Sequence, residues 1–113
     1  MTNERLFHFA LAADWEAAQE QVLWAPASLD SEGFVHLSFA AQLQGTLDTH
    51  YSQARAVILL ELGRAELGDD LKLERSRGDA LFPHLYRAIR REEFIATWVL
   101  QRDAASGWVV PHL

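Results

Sequence analysis

The run Ala56-Val57-Ile58-Leu59-Leu60-Glu61-Leu62 constrains the fold of this chain more than any other stretch. It is nearly continuous in apolar character, which is the pattern of a central strand covered on both faces. Shorter segments on either side must supply its partners and its covering layers. Leu6–Ala10 predicts a first strand, with Phe7 and Phe9 on one face and Leu6, His8 and Ala10 on the other. Asp14 stands where it can cap a helix running to Val22, with Trp15, Ala18 and Val22 as its apolar stripe and Pro26 soon after its end. Ser28–Gly33 is polar and predicts a loop, with Gly33 supplying a positive φ. Ser38 is placed to cap a second helix, from about Phe39 to Tyr51, lined by Leu43, Leu47 and Tyr51.

Strands dominate the second half. Leu71–Arg75 alternates Leu71, Leu73 and Arg75 against Lys72 and Glu74, and Ile95–Gln101 alternates in the same way. Pro83 makes Phe82–Ile89 an edge or irregular strand, because proline has no N–H to give to a ladder. Trp108-Val109-Val110 would add to a sheet edge. Connections this short do not allow a run of parallel crossovers. The expected architecture is therefore one small α+β domain, with two N-terminal helices and a strongly bent, mixed or mainly antiparallel sheet.

Composition narrows the functional classes. With 113 residues, half of them hydrophobic, the chain is long enough for a core and too apolar for disorder. No apolar run approaches the roughly 20 residues of a membrane span. Cysteine is absent, which excludes disulfides, thiolate zinc sites and a cysteine nucleophile. With no secretory pattern at the start, a cytoplasmic setting fits best. The net charge of −6 is uneven: residues 1–54 hold one base against seven acids, whereas residues 72–91 hold six bases against two acids. A local basic segment on an acidic chain suits a small anionic ligand better than an extended nucleic acid, the alternative being a solvated arginine-rich face.

The chemistry-bearing residues recur in short strand-like runs. Phe34, His36 and Ser38 share one face of the stretch Ser28–Ser38, and His84 and Tyr86 repeat the i, i+2 spacing after Pro83. Ser38 lacks the sharp Gly-x-Ser-x-Gly turn of a nucleophile and reads as a cap or hydrogen-bond donor. Three histidines on three strands are compatible with a metal, but His-x-His and His-Glu-x-x-His spacings are missing, so no metal is expected. The competing interpretation of each histidine is a satisfied structural residue. If they act together, His8, His36, Ser38, His84 and Tyr86 line one cleft.

Leu6-Phe7-His8, Ser28-Leu29-Asp30-Ser31-Glu32-Gly33-Phe34-Val35-His36-Leu37-Ser38, Gln42 and Phe82-Pro83-His84-Leu85-Tyr86 together resemble the domain-of-unknown-function family numbered 952. The resemblance runs from about Arg5 to Leu100, with Arg87 where most members have glycine. That family is similar in fold to the ADP-ribosyltransferase superfamily, whose split, bent sheet binds NAD in a cleft. The resemblance implies that His8 contacts the nicotinamide-side ribose and that His36 and Ser38 support the pocket. No residue matches the superfamily's catalytic glutamate. On this basis His36, His84 and Tyr86 are the candidates for chemistry, and His8, Ser38, Arg75 and Arg87 for holding NAD. Cleavage at a ribose N-glycosidic bond would gain from held hydroxyls and a nearby carboxylate, Glu32 and Asp79 being the nearest in sequence. The same cleft would suit RNA 2′-phosphate transfer, with Arg75, Arg77 and Arg87 on the phosphates. A nucleotide-binding module without catalysis is the alternative from another class.

Overall fold

The computed structural model describes residues 5–113, with every side chain among them except that of Arg77. The apolar run is β5 (Ala56–Gly63), and it lies inside a four-stranded antiparallel sheet of order β4-β1-β5-β9. Its neighbours are β1 (Arg5–Leu11) and β9 (Phe94–Gln101), with His8 opposite Leu60 and Phe9 opposite Leu59. Because side chains alternate, this pair of strands separates two cores. Phe7, Phe9, Val57 and Leu59 pack on one side with Leu43, Leu47 and Trp108. Leu6, Ala10, Ile58, Leu60 and Leu62 pack on the other with Trp24, Val35, Leu85 and Ile89. β5 is buried on both faces because both of these cores need it. The expected alternation of β9 is present, with Ile95, Thr97, Val99 and Gln101 exposed.

A second sheet, of order β3-β7-β6, lies over the Leu6 side. It is built from β3 (Val35–His36), β7 (Leu81–Leu85) and β6 (Leu71–Arg75). β4 (Ser38–Phe39) belongs to the first sheet, pairing with β1 through Phe7 and Leu6. The chain therefore changes sheet at Leu37, between the two polar residues of the His36-x-Ser38 motif. A two-rung ribbon joins β2 (Leu23–Trp24) to β8 (Ile89–Arg90). Among the described residues every strand pairing is antiparallel, and the bent sheet of the sequence expectation is three separate sheets. The result is a small α+β domain of antiparallel sheets and a few short helices. Among the described residues no helix is long and apolar enough to cross a membrane.

Several local expectations are corrected. α1 spans Ala12–Ala17 and starts directly from β1, so Asp14 lies in its first turn, where it favours the positive end of the helix dipole without capping it. The Arg91 guanidinium donates to the carbonyls of Ala18 and Gln21 and lies 4.2 Å over the Trp15 ring. It satisfies the chain where the helix stops, and Val22, expected in the apolar stripe, is 75% exposed. Part of the expected loop is α2 (Ala27–Ser31), ended by Gly33 at φ +89° as anticipated. Ser38 caps nothing. The second expected helix is a 3-10 turn at Ala40–Gln42 followed by α3 (Leu43–His50), and the Gln42 amide oxygen accepts the Phe39 N–H at 3.0 Å. The Gln42 amide also donates to the Leu81 carbonyl at 2.9 Å, tying this turn to β7.

β7 is the middle strand of its sheet despite Pro83. The Pro83 carbonyl accepts the Leu37 N–H at 3.0 Å, so its nitrogen also faces the β3 side. There the chain is already leaving for the other sheet, so the missing donor costs one bond at the end of the β3–β7 ladder and leaves the β6 side intact. Trp108 is not in a strand either. It plugs the second core, its indole N–H donating to the Tyr51 carbonyl at 2.9 Å.

Candidate functional site

The outer face of the β3-β7-β6 sheet is set by register. His36 is opposite His84, and His84 is opposite Lys72, so the two imidazoles stand on one face and in one row. Their ring centroids are 5.4 Å apart at 84°. Phe34, two residues before His36, stacks on His84 at 4.0 Å and meets His36 edge-on at 4.8 Å. Glu74 and Tyr86 are on the same face by alternation.

Each imidazole has its own carboxylate. His36 Nε2 lies 2.7 Å from Glu32, and both side chains are about half exposed. His84 is 5% exposed, and its Nδ1 lies 2.9 Å from Glu74 Oε1. That same oxygen accepts the Tyr86 hydroxyl at 2.5 Å. An ionised carboxylate only accepts, so in the neutral ring the His84 proton sits on Nδ1 and the Nε2 lone pair is left. This Nε2 is buried and has no hydrogen-bond partner, a state that is uncommon for a buried polar atom. The bonds from Tyr86 and then His84 hold the Glu74 carboxyl below its ordinary value, and Glu74 in turn pushes the Tyr86 phenol up.

A cavity of about 370 Å³ lies on the other side of His36. His8, His36 and Ser38 line it with Phe9, Trp24, Tyr51, Phe82 and Thr46, whereas His84 and Tyr86 do not. The five residues expected around one cleft thus fall into two groups that share His36. Among the described residues, Asp14 is the one formally charged residue in the cavity wall, and no lysine or arginine lines it. Burial, with Asp14 second, pushes the Tyr51 phenol up.

His8 is saturated. The Trp24 indole N–H donates to its Nε2 at 2.9 Å, so its proton is on Nδ1, which donates to the His36 carbonyl at 2.8 Å. Burial pushes its pKa down from 6.5 to about 4. Ser38 is buried, with its hydroxyl 3.4 Å from that of Thr46.

The arginines expected to hold a cofactor are engaged by carboxylates. Arg87 forms a two-pronged bond to Glu93 at 2.8 and 2.9 Å and reaches Asp70 at 3.2 Å. Arg75 pairs with Asp79 at 3.0 Å. The Arg77 side chain lies outside what is described. Arg75 and Arg87 are therefore already paired, and the base of this segment that stands beside a histidine is Lys72, opposite His84. Among the described residues, no three histidine or carboxylate side chains converge as metal ligands.

Sequence reasoning missed Glu74, Trp24 and Asp14 as members of these sites. Glu74 had a usable signal, since its strand alternation sets it opposite Leu73. Only the β6–β7 register puts it beside His84, ten residues away.

The model of the family described as "Protein of unknown function (DUF952)" matches residues 9–97. The crystal structure of protein CC0527 from Caulobacter crescentus is 34% identical, with 93% of each chain covered and a TM-score of 0.84. Its solution NMR structure is 35% identical, with 91% of this chain and 90% of that one covered and a TM-score of 0.79. No curated protein matches. The agreement in sequence and fold extends over nearly the whole of both chains, and the chain belongs to the DUF952 family.

Proposed function

We propose that the cavity binds the nicotinamide-riboside end of a dinucleotide such as NAD, presenting its N-glycosidic bond to the histidines. The observation that carries this is the charge of the wall: among the described residues it holds one carboxylate, Asp14, and neither lysine nor arginine. An N-ribosylated nicotinamide is a flat cation, and it suits an aromatic pocket with one acid at its edge. His8, held neutral by burial, adds no opposing charge. The cavity volume is at the low end of ligand sites, enough for one ring and its sugar, which leaves the phosphates outside. The resemblance that led NAD to be expected supports the same choice through His36 in the cavity wall, while the ribose contact expected of His8 is corrected, since both its ring nitrogens are engaged. Arg75 and Arg87, spent on Asp79 and Glu93, weigh against a site built around phosphate.

The test is a titration followed by NMR, using nicotinamide riboside, NAD and ADP-ribose. Nicotinamide riboside and NAD should shift His36 and Trp24 at similar concentrations, and ADP-ribose, which lacks the cationic ring, should need at least about tenfold more, equivalent to 1.4 kcal/mol. Equal or tighter binding of ADP-ribose, or no shift with any of the three, would sink the proposal.

A further inference from the structure

The geometry points to His84 as the proton-accepting group of this protein, with Glu74 and Tyr86 as its positioning residues and His36 as the side chain that separates it from the cavity. The inference rests on the cavity reading above and adds the chemistry done there. Tyr86 O–H and His84 Nδ1–H converge on one oxygen of Glu74, at 2.5 and 2.9 Å. That arrangement fixes the ring, fixes the tautomer and leaves Nε2 as the basic nitrogen, the logic by which a carboxylate orients a catalytic imidazole. A structural histidine in the same sheet needs no such relay. Nε2 would find a partner through packing, as His8 Nε2 does in Trp24. Instead it is buried without a hydrogen-bond partner among the described residues, in a ring stacked on Phe34 and set at 84° to His36.

His36 is the movable member. It is half exposed, lines the cavity, and among the described residues its ring hydrogen-bonds only to the equally exposed Glu32. Turning it aside opens His84 to a water held beside the bound ribose. Nε2 then takes one proton from that water as the oxygen bonds to C1′. The C1′–N bond breaks, its electron pair goes to the nicotinamide nitrogen, and the base leaves neutral. The products are nicotinamide, the hydroxylated sugar, and a proton that passes from His84 to solvent. Neither an oxidant nor a second substrate is needed. The charged and titratable groups around His84 are Glu74 and Lys72 on β6, Tyr86 after β7, and His36 with Glu32 on the β3 side.

The experiment couples binding, turnover and tautomer. Wild-type protein should release nicotinamide from NAD, and ¹⁵N NMR should find His84 protonated at Nδ1. Glu74→Gln and His84→Gln should lower kcat by about 10²-fold or more, the usual contribution of a positioned base, with KM and the titration of nicotinamide riboside nearly unchanged. Glu74→Gln should also move the His84 proton toward Nε2 and shift the pH profile of kcat, which a merely structural role would leave alone. If His84→Gln does not fold, Glu74→Gln and Tyr86→Phe decide, since both side chains are partly exposed. Unchanged kcat in these variants, an Nε2–H tautomer in the parent, or binding without any nicotinamide release would each overturn the inference and leave the cavity reading standing. Absence of binding would overturn both.

Discussion

His8 and His84 are buried to almost the same degree, at 6% and 5% exposure, on strands of two facing sheets. Their neighbours differ. His8 has a donor on one nitrogen and an acceptor at the other, and burial then penalises any added proton. His84 has a carboxylate at one nitrogen and, among the described residues, no hydrogen-bond partner at the other. Burial by itself therefore does not distinguish these two imidazoles. What sorts them is whether the hydrogen-bonding capacity of the ring is used up, because a saturated ring has no lone pair left for a ligand.

The largest effect expected from this contrast is in the pH dependence of stability. The pKa of His8 is lowered from 6.5 to about 4 in the folded chain, so between those values the unfolded chain binds the extra proton. The stabilisation from a neutral His8 is complete above pH 6.5 and is lost as pH falls toward 4, by on the order of 3 kcal/mol. Glu74, Glu93 and Asp103 are lowered too and act in the same direction at more acid pH. Urea unfolding at pH 7 and pH 4 should therefore be compared between the parent and His8→Gln, whose amide does not titrate. The variant should be less stable at pH 7 and show the flatter profile. Identical profiles would mean that His8 is not held neutral.

The contrast was only partly visible in the chain. β5, the two-faced alternation of β1 and the positive φ of Gly33 follow from local pattern, and each is present. Phe34, His36, His84 and Tyr86 share a face because period-two alternation holds within a strand. The failures come from partners far apart in sequence. Nothing local to Ser38 says that the chain leaves one sheet for another at Leu37. Nothing local to Arg87 says that Glu93 will neutralise it, and a summed charge over residues 72–91 cannot anticipate that. Asp14 looked like a cap because the strand before it was expected to end one residue early, at Ala10 in place of Leu11. The different hydrogen bonding of His8 and His84 depends on Trp24 and Glu74, sixteen and ten residues away.

A smaller effect is expected from Trp24→Phe. It keeps most of the apolar volume beside His8 but strips the donor from Nε2. The orphaned nitrogen and the lost bulk should cost about 1–3 kcal/mol in urea unfolding at pH 7. His8 would then resemble His84 in having one unpartnered ring nitrogen, and its pKa should rise because the bond that favoured the neutral ring has gone. An NMR titration that left the His8 pKa near 4 would show that burial alone, without Trp24, sets it.

The smallest effect sharpens the comparison from its wet side. His36 stands across the strand pair from His84 and carries the same kind of carboxylate partner, yet its side chain is 49% exposed. Its ion pair with Glu32 is a surface pair, worth little after screening and side-chain entropy. Truncation leaves no buried polar atom stranded, since Glu32 is equally exposed and the His36 carbonyl that holds His8 belongs to the backbone. His36→Ala should therefore change stability by no more than about 0.5 kcal/mol, against about 2–5 kcal/mol for Leu59→Ala in the middle of β5. Urea unfolding of the two variants beside the parent is the measurement. A loss in His36→Ala as large as that of Leu59→Ala would mean that the imidazole is part of the packing between the sheets. A stable His36→Ala that no longer responds to nicotinamide riboside would instead assign the ring to the ligand, because removing it would have changed the cavity wall and little else.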